Sequence, residues 1–450
     1  MKIDVTKFQI LPNTGELLTE KFQELINNSP KNSVFYFPKG EYMLSTVHLK
    51  SDMTIKISRG ARILGSNDFY DYERHEKIDY PIYQDASHTY FSTSLFLGVG
   101  CKNIKISGPG TIDMQSVWDE DNIRDIVHRG AKCIALKECS NVVIDGVKVL
   151  NCTDLAIYFA GCNKVDIRNC KLKVYIDGIS PDNSKNVVIE NCDVLAGDDA
   201  IVFKSSFTLN RLDTCENILV RNCQLSSRCN AIKFGTETNG GFHNINIHDI
   251  NIKNVRIAGI AIESVDGAII DGINIKNINM QNVNCPFFIY LGERMRGPKE
   301  LTVGQIKNIS IENVNVSGPY RTYKTIAWNY TSYKANDFIQ NPHIFGNSKE
   351  DVYEKSWQFS SCICGMREHC LENISFKNID MTLYGGVKEF NKVVPEKPLS
   401  PYPEAYVYGK ILPASGIYFR FIKNLSLDNI KIKTIYKDKR KTIVQDNCFI

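Results

Sequence analysis

Residues 177–205 read DGISPDNSKNVVIENCDVLAGDDAIVFKS. Inside this stretch, NVVIENCDVL from Asn186 alternates apolar and polar residues and is rich in β-branched side chains, which is a strand signal. The same phrase recurs upstream as NIKISGPGTI from Asn103, NVVIDGVKVLNC from Asn141 and NKVDIRNCKL from Asn163. Downstream it returns as NILVRNCQL from Asn217, NINIHDINIKNV from Asn244, IIDGINIKNINM at 269–280, NISIENVNV from Asn308, NISFKNIDM from Asn373 and NLSLDNIKI from Asn424. The steps from Asn141 to Asn163, Asn186, Asn217 and Asn244 are 22, 23, 31 and 27 residues.

These steps leave no room for crossover helices, which need about a dozen residues or more. Strands repeating at this interval stack as coils of a solenoid, each burying its apolar face against the next. The reading is all-β: a single right-handed parallel β-helix spanning 1–450. The pairs Asn151-Cys152, Asn169-Cys170, Asn191-Cys192 and Asn222-Cys223 fall at matching places, and they are expected to form ladders inside it.

A solenoid must close its ends. TEKFQELINN, at 19–28, carries Phe22, Leu25 and Ile26 at helical spacing and reads as an N-terminal cap helix. Residues 318–357 and 389–413 lack the repeat and read as long loops that wall a cleft. The resulting division is cap and first coils at 1–70, central coils with the site at 100–317, insertion loops at 318–372, and C-terminal coils and cap at 373–450.

Composition narrows the function. The chain has 450 residues, with 54 Lys and Arg against 50 Asp and Glu, for a net charge of +4. A near-balanced count gives no support to nucleic-acid binding, which needs a concentrated basic patch. No window has the roughly 18 apolar residues of a membrane span. The polar N-terminal run is not a signal peptide, so a cytoplasmic location is expected. Fifteen cysteines, an odd number, read as small buried hydrophobes in a reducing compartment. Cys362, Cys364 and Cys370 likewise read as buried thiols rather than a metal site. No cofactor or metal is implied.

Three acids stand out. Asp177 precedes the pair Asp198-Asp199 by about one coil. One coil step brings equivalent positions to about 4.8 Å, so the three become neighbours. Adjacent residues on a regular strand face opposite ways, and both members of the pair reach one surface only if Gly197 lets the backbone bend. Crowded carboxylates push one another's pKa values apart, supplying a proton donor and an ionised base together, as glycosidic-bond hydrolysis requires. DGxS and GDD are also ordinary turn sequences.

The stretch at 177–205 resembles glycoside hydrolase family 28, the polygalacturonase-like proteins, whose pattern there is N-T-D-G-x-D-P, N-V-x-I-x-N-C and G-D-D-x-I-x-x-K-S. FYFPKGEYMLSTVHLKSDMTIKISRGARILGS near the start and YPEAYVYGKILPASGIYFRFIKNLSLDNI near the end resemble the bacterial exo-type members. The resemblance implies a pectin-lyase-like β-helix and hydrolysis with inversion of a pectin-derived or related oligosaccharide. Asp198 would be the general acid, with Asp177 and Asp199 positioning and deprotonating water. Inversion expects acid and base carboxyls about 6.5–9.5 Å apart.

The departures bear on the substrate. Asn230 stands where the family's G-H-G histidine would fall, and Ala261 and Glu263 replace the cations of its R-I-K motif. A glutamate repels a uronate and accepts hydrogen bonds from hydroxyls. The replacement cations are Lys204, Lys233 and Arg294, the last read either as an anion contact or as a surface salt bridge. Glu237 and Glu263 are candidate hydroxyl binders, and His369 is the candidate for the missing histidine. Tyr290, Trp328, Tyr330 and Trp357 are candidates for stacking on sugar rings. Two alternatives remain: a β-helical polysaccharide lyase or epimerase, and a non-catalytic carbohydrate-binding β-helix.

Overall fold

A computed structural model describes residues 1–118, 129–318, 358–399 and 402–449. The chain is a right-handed parallel β-helix. The alternation seen in sequence is alternation of burial. In Lys185–Glu190, Val187 and Ile189 point inward while their neighbours are partly exposed. This strand pairs in parallel with Asn163–Arg168 on one side, setting Val187 against Val165. Thr214–Arg221 lies on its other side, with Ile218 against Val187. Each buried Val or Ile contributes about 1.5–3 kcal/mol, so the repeated apolar stripe fixes the register.

Contacts divide the chain into two compact units, one of Met1–Gln224 with Asn239–Asn246, the other of Leu225–Thr238 with Ile247–Ile450. In the first, the cap helix spans Thr19–Asn28 and buries Phe22, Leu25 and Ile26. Phe22 packs edge-on against Phe35 and Phe37. In the second, Ile269–Leu291, Gln305–Ser317, Leu371–Gly385 and Ala414–Tyr436 pair successively in parallel.

The asparagine ladders lie on the surface, not inside. Asn141, Asn169, Asn186, Asn191, Asn217 and Asn244 all have φ between 50° and 56°. Asparagine tolerates this left-handed region best among residues with a side chain. Its side chain then reaches the coil below: Asn186 donates to Asn163 at 2.8 Å and Asn244 to Asn217 at 2.7 Å, both exposed. The cysteines that follow do point inward. None of the fifteen is in a disulfide and thirteen are buried. Burial pushes the Cys152 thiol up to about 12, so it stays protonated, the form that neither attacks nor binds metal.

The insertion expected over 318–372 ends sooner. Ser361–Cys364 is a strand, buried throughout, that pairs with Phe288–Tyr290 and with Ser361 opposite Ile417. Burial on both faces removes the alternation that would have marked it. The described residues within 389–413 carry no strand, as expected of a loop. Trp328, Tyr330 and Trp357 lie outside the described residues. No helix among the described residues is long and apolar enough to cross a membrane.

Candidate active site

The aspartates sit at one corner of successive coils in the first unit. Strand Lys171–Val174 pairs with Asp193–Ala196, and Ile179–Asp182 pairs with Ile201–Ser205. Four residues link the strands in each coil, so Asp177 falls opposite Asp199 and Ile176 opposite Asp198. The Asp199 N–H donates to Asp177 Oδ1 at 3.1 Å, and the Gly178 N–H to the Asp199 carbonyl at 3.0 Å. Gly197 is needed for clearance, because a Cβ there would lie 1.9 Å from the Tyr175 carbonyl oxygen. With that corner turned, one carboxylate oxygen from each of Asp177, Asp198 and Asp199 lies within 4.8 Å of the others. Asp177 and Asp199 are buried, while Asp198 is partly exposed.

Burial, then the neighbouring Asp198, raise the Asp177 carboxyl to about 6, against the pull of Lys204, His88 and Arg129. Lys204 is buried and stands opposite Asp182 in the register. Asp182, whose carboxyl burial raises, accepts from the Ser206 N–H at 2.9 Å and the Tyr158 hydroxyl at 3.2 Å. Three aspartates at this spacing form a set of oxygen donors of the kind a divalent cation accepts. The cationic groups of Lys204 and Arg129 already supply positive charge there.

The sequence reading missed the residues that surround this cluster. Arg129 lies 3.7 Å from Asp85 and 3.9 Å from Asp154. Lys132 bonds Asp154 at 2.9 Å. His88 Nδ1 lies 2.7 Å from Asp85 Oδ1. None belongs to a strand phrase of the repeat except Lys132. The only sequence signal was ionisable residues in segments that break the period.

The second unit holds the other candidates. Lys233 is 3% exposed and lies 2.9 Å from Glu404 and 3.7 Å from Glu263. Glu404 comes from the loop at 389–413, and its Oε2 is buried with no hydrogen-bond partner among the described residues. Lys233 stands opposite Ala261 in the register. Ala261, fully buried, packs in one apolar cluster with Ala405, Val407 and Tyr408 of that loop. An arginine at 261 would have to displace it.

Several candidates are committed to the protein itself. Arg294 grips Asp266 through Nε at 2.9 Å and through a second bond from Nη2, which also donates to the Thr236 carbonyl at 2.7 Å. Its charge is therefore matched within the fold, the salt-bridge reading rather than the anion contact. Glu237 pairs with Arg296. Asn230 is fully buried and accepts the Ala258 N–H at 3.0 Å, tying one coil to the next. Tyr290 stacks on Phe288 and meets Tyr408 edge-on in the apolar cluster. His369 is exposed beside a hollow of about 180 Å³ lined by Lys307, Glu372 and Lys423, away from Lys233, Glu263 and Glu404. Cys362 and Cys364 face each other at 3.3 Å as buried thiols.

The sequence pattern of glycosyl hydrolases family 28 matches residues 28–350. The chain belongs to this family. A probable polygalacturonase of Vitis vinifera is 24% identical over 247 residues, 51% of this chain and 50% of that relative. The chain thus spans about half the length of that curated relative. Among solved structures, an exopolygalacturonase from Thermotoga maritima superposes with a TM-score of 0.69 at 16% identity, covering 96% of this chain and 92% of that one. A family 28 exopolygalacturonase from Yersinia enterocolitica gives 0.61 at 16% identity, covering 100% of this chain and 78% of the other. At such identities these two likenesses speak for the fold. This family 28 chain brings Asp177, Asp198 and Asp199 together.

Proposed function

We propose that the chain is a glycoside hydrolase acting on a pectin-derived or related oligosaccharide, by acid–base catalysis at Asp177, Asp198 and Asp199. The observation that carries this reading is the three carboxylate oxygens within 4.8 Å of one another, with the Asp177 carboxyl raised to about 6. The partly exposed Asp198 is the general acid, giving its proton to the leaving oxygen. Asp177 and Asp199, linked by the Asp199 N–H, hold and deprotonate the water. Family membership supports the bond broken. Exo-action and inversion rest on the resemblance, since the oxygens are closer than the about 6.5–9.5 Å usual between inverting carboxyls.

The subsite that would hold a uronate is rebuilt. Lys233 is matched by Glu404 and Glu263, and Ala261 is covered, so the substrate at that subsite is a neutral sugar or one whose carboxylate points elsewhere. Fifteen thiols outside any disulfide support a reducing, cytoplasmic setting, where imported oligosaccharides are the available substrates.

The test is turnover by Asp198→Asn on an oligosaccharide that the parent chain cleaves. A loss of about 10²–10⁴-fold is expected for removing a general acid. Full turnover would refute the assignment. A product with a new carbon–carbon double bond, absorbing in the ultraviolet, would mark a lyase instead.

A further inference from the structure

The loop that covers Ala261 also encloses space. Its described residues bond back on themselves: the Leu399 N–H donates to the Val407 carbonyl at 2.7 Å, and the Val407 N–H to the Glu404 carbonyl at 2.7 Å. Arg420 ties it down, donating from Nη1 to the Pro395 carbonyl at 2.7 Å. Between this strap and the coils lies a cavity of about 500 Å³, within the range of about 300–1,000 Å³ usual for small-molecule sites. Its lining residues all belong to the second unit.

The walls are firmly held. Tyr290 and Tyr408 are 4% and 6% exposed and meet edge-on with their centroids 6.0 Å apart. Phe288 stacks on Tyr290 at 5.8 Å, and the Arg420 guanidinium lies 5.9 Å from the centre of the Tyr408 ring. Met366 joins the lining from a turn in which it and His369 exchange backbone hydrogen bonds at 2.9 and 3.1 Å. Walls already ordered lose little freedom when a guest enters, which is what preorganisation adds to affinity.

The polar groups suit hydroxyls. Arg294 lines the cavity with its guanidinium fixed, since Nε and Nη2 are engaged by Asp266 and the Thr236 carbonyl. Nη1 makes no hydrogen bond among the described residues. It is a donor in reserve on a group whose charge Asp266 has matched. Glu293 and Lys397 also line the cavity, are exposed, and form no ion pair or hydrogen bond among the described residues. One accepts hydrogen bonds and the other donates them, and their charges cancel. Donors and acceptors beside an apolar aromatic wall match a sugar ring, which carries hydroxyls of both roles around an apolar face. A uronate would bring a charge for which the cavity holds no surplus cation.

We propose that this cavity binds a neutral saccharide. Tyr290 and Tyr408 form the apolar wall, Arg294 and Lys397 donate to hydroxyls, and Glu293 accepts from them. No bond is made or broken there. The site shares no residue with the aspartate cluster and does not depend on the hydrolase reading.

The experiment uses the full chain and two probes without a glycosidic bond to cleave, galactose and galacturonate, titrated by saturation-transfer NMR. Galactose is expected to bind saturably and more tightly than galacturonate. Met366→Trp fills the cavity and should abolish this binding, with its fold checked by near-ultraviolet circular dichroism. The double variant Glu293→Gln/Lys397→Ala changes only exposed side chains and should weaken binding by about tenfold. Asp177→Asn should leave it unchanged. The proposal is overturned by no saturable galactose binding to the parent, by galacturonate binding as tightly or more tightly, or by unchanged binding in the double variant. Loss of galactose binding in Asp177→Asn would place the sugar at the aspartates and overturn it too. If the parent binds galactose at this cavity yet cleaves no glycoside, the hydrolase reading fails and this site stands.

Discussion

Two buried charge clusters in this chain have opposite designs. At the coil corner of the first unit, three carboxylates crowd together, with Lys204 and Arg129 as the cations that act on them. There Asp177 holds its proton more tightly than an ordinary carboxyl, its pKa raised to about 6. In the second unit, Lys233 is clamped between Glu263 and Glu404, and a loop is folded over the neighbouring Ala261. The first arrangement crowds like charges and raises a carboxyl. The second consumes a cation that the sequence offered as a substrate contact. The difference teaches that a motif position and a charge do not together make a subsite. What matters is whether the fold has already answered the charge.

The largest expected effect tests the clamp. Lys233→Met leaves Glu263 and Glu404 buried without their lysine, and should cost about 3–5 kcal/mol in chemical denaturation. Adding Glu404→Gln to it should restore part of that loss. If the single variant is as stable as the parent, the cluster is more hydrated than its burial implies and the contrast weakens.

A smaller effect tests the first cluster. The Asp177 pKa is raised on folding, from 3.8 to about 6. The folded state therefore binds this proton more tightly, and the associated stability is full below pH 4 and lost as pH rises through 6. Asp177→Asn should consequently stabilise the protein at pH 7.5 by up to about 3 kcal/mol, and flatten its stability between pH 4 and 7, while abolishing turnover. In the parent, kcat/KM should fall below about pH 6 as Asp177 takes up its proton. Equal stabilisation at pH 4 and pH 7.5 would show that Asp177 is not strained by its charge.

The smallest effect sharpens the contrast in specificity. Glu404→Gln releases part of the Lys233 charge and should shift kcat/KM toward uronate over neutral oligosaccharides by a few-fold, about 1 kcal/mol or less. No shift in that ratio would mean that Lys233 does not face the substrate.

The fold was legible because its code is local and repeated. The alternation around Val187 and Ile189 states both strand and register, and equal linkers then stack Asp199 on Asp177. The cap helix was legible from Phe22, Leu25 and Ile26. The asparagine ladders were placed on the wrong side, because alternation does not reveal a left-handed residue that turns its side chain out. His88, Arg129 and Glu404 were hidden, since each lies in a segment without a period and reaches its partner across many residues of chain. Arg294 misled for a related reason: its answer, Asp266, is 28 residues away and carries no motif.

The central claim is that the bond-breaking group is retained while uronate recognition is rebuilt. It is tested most directly by incubating the parent with defined acidic and neutral oligosaccharides and following the anomeric protons by NMR from the first turnover. The account predicts a new reducing end that forms first as the inverted anomer, no unsaturated product, and turnover of neutral substrates at least equal to that of the uronates. A retained anomer would contradict the water-attack mechanism. An unsaturated sugar, or binding without any cleavage, would contradict the hydrolase itself.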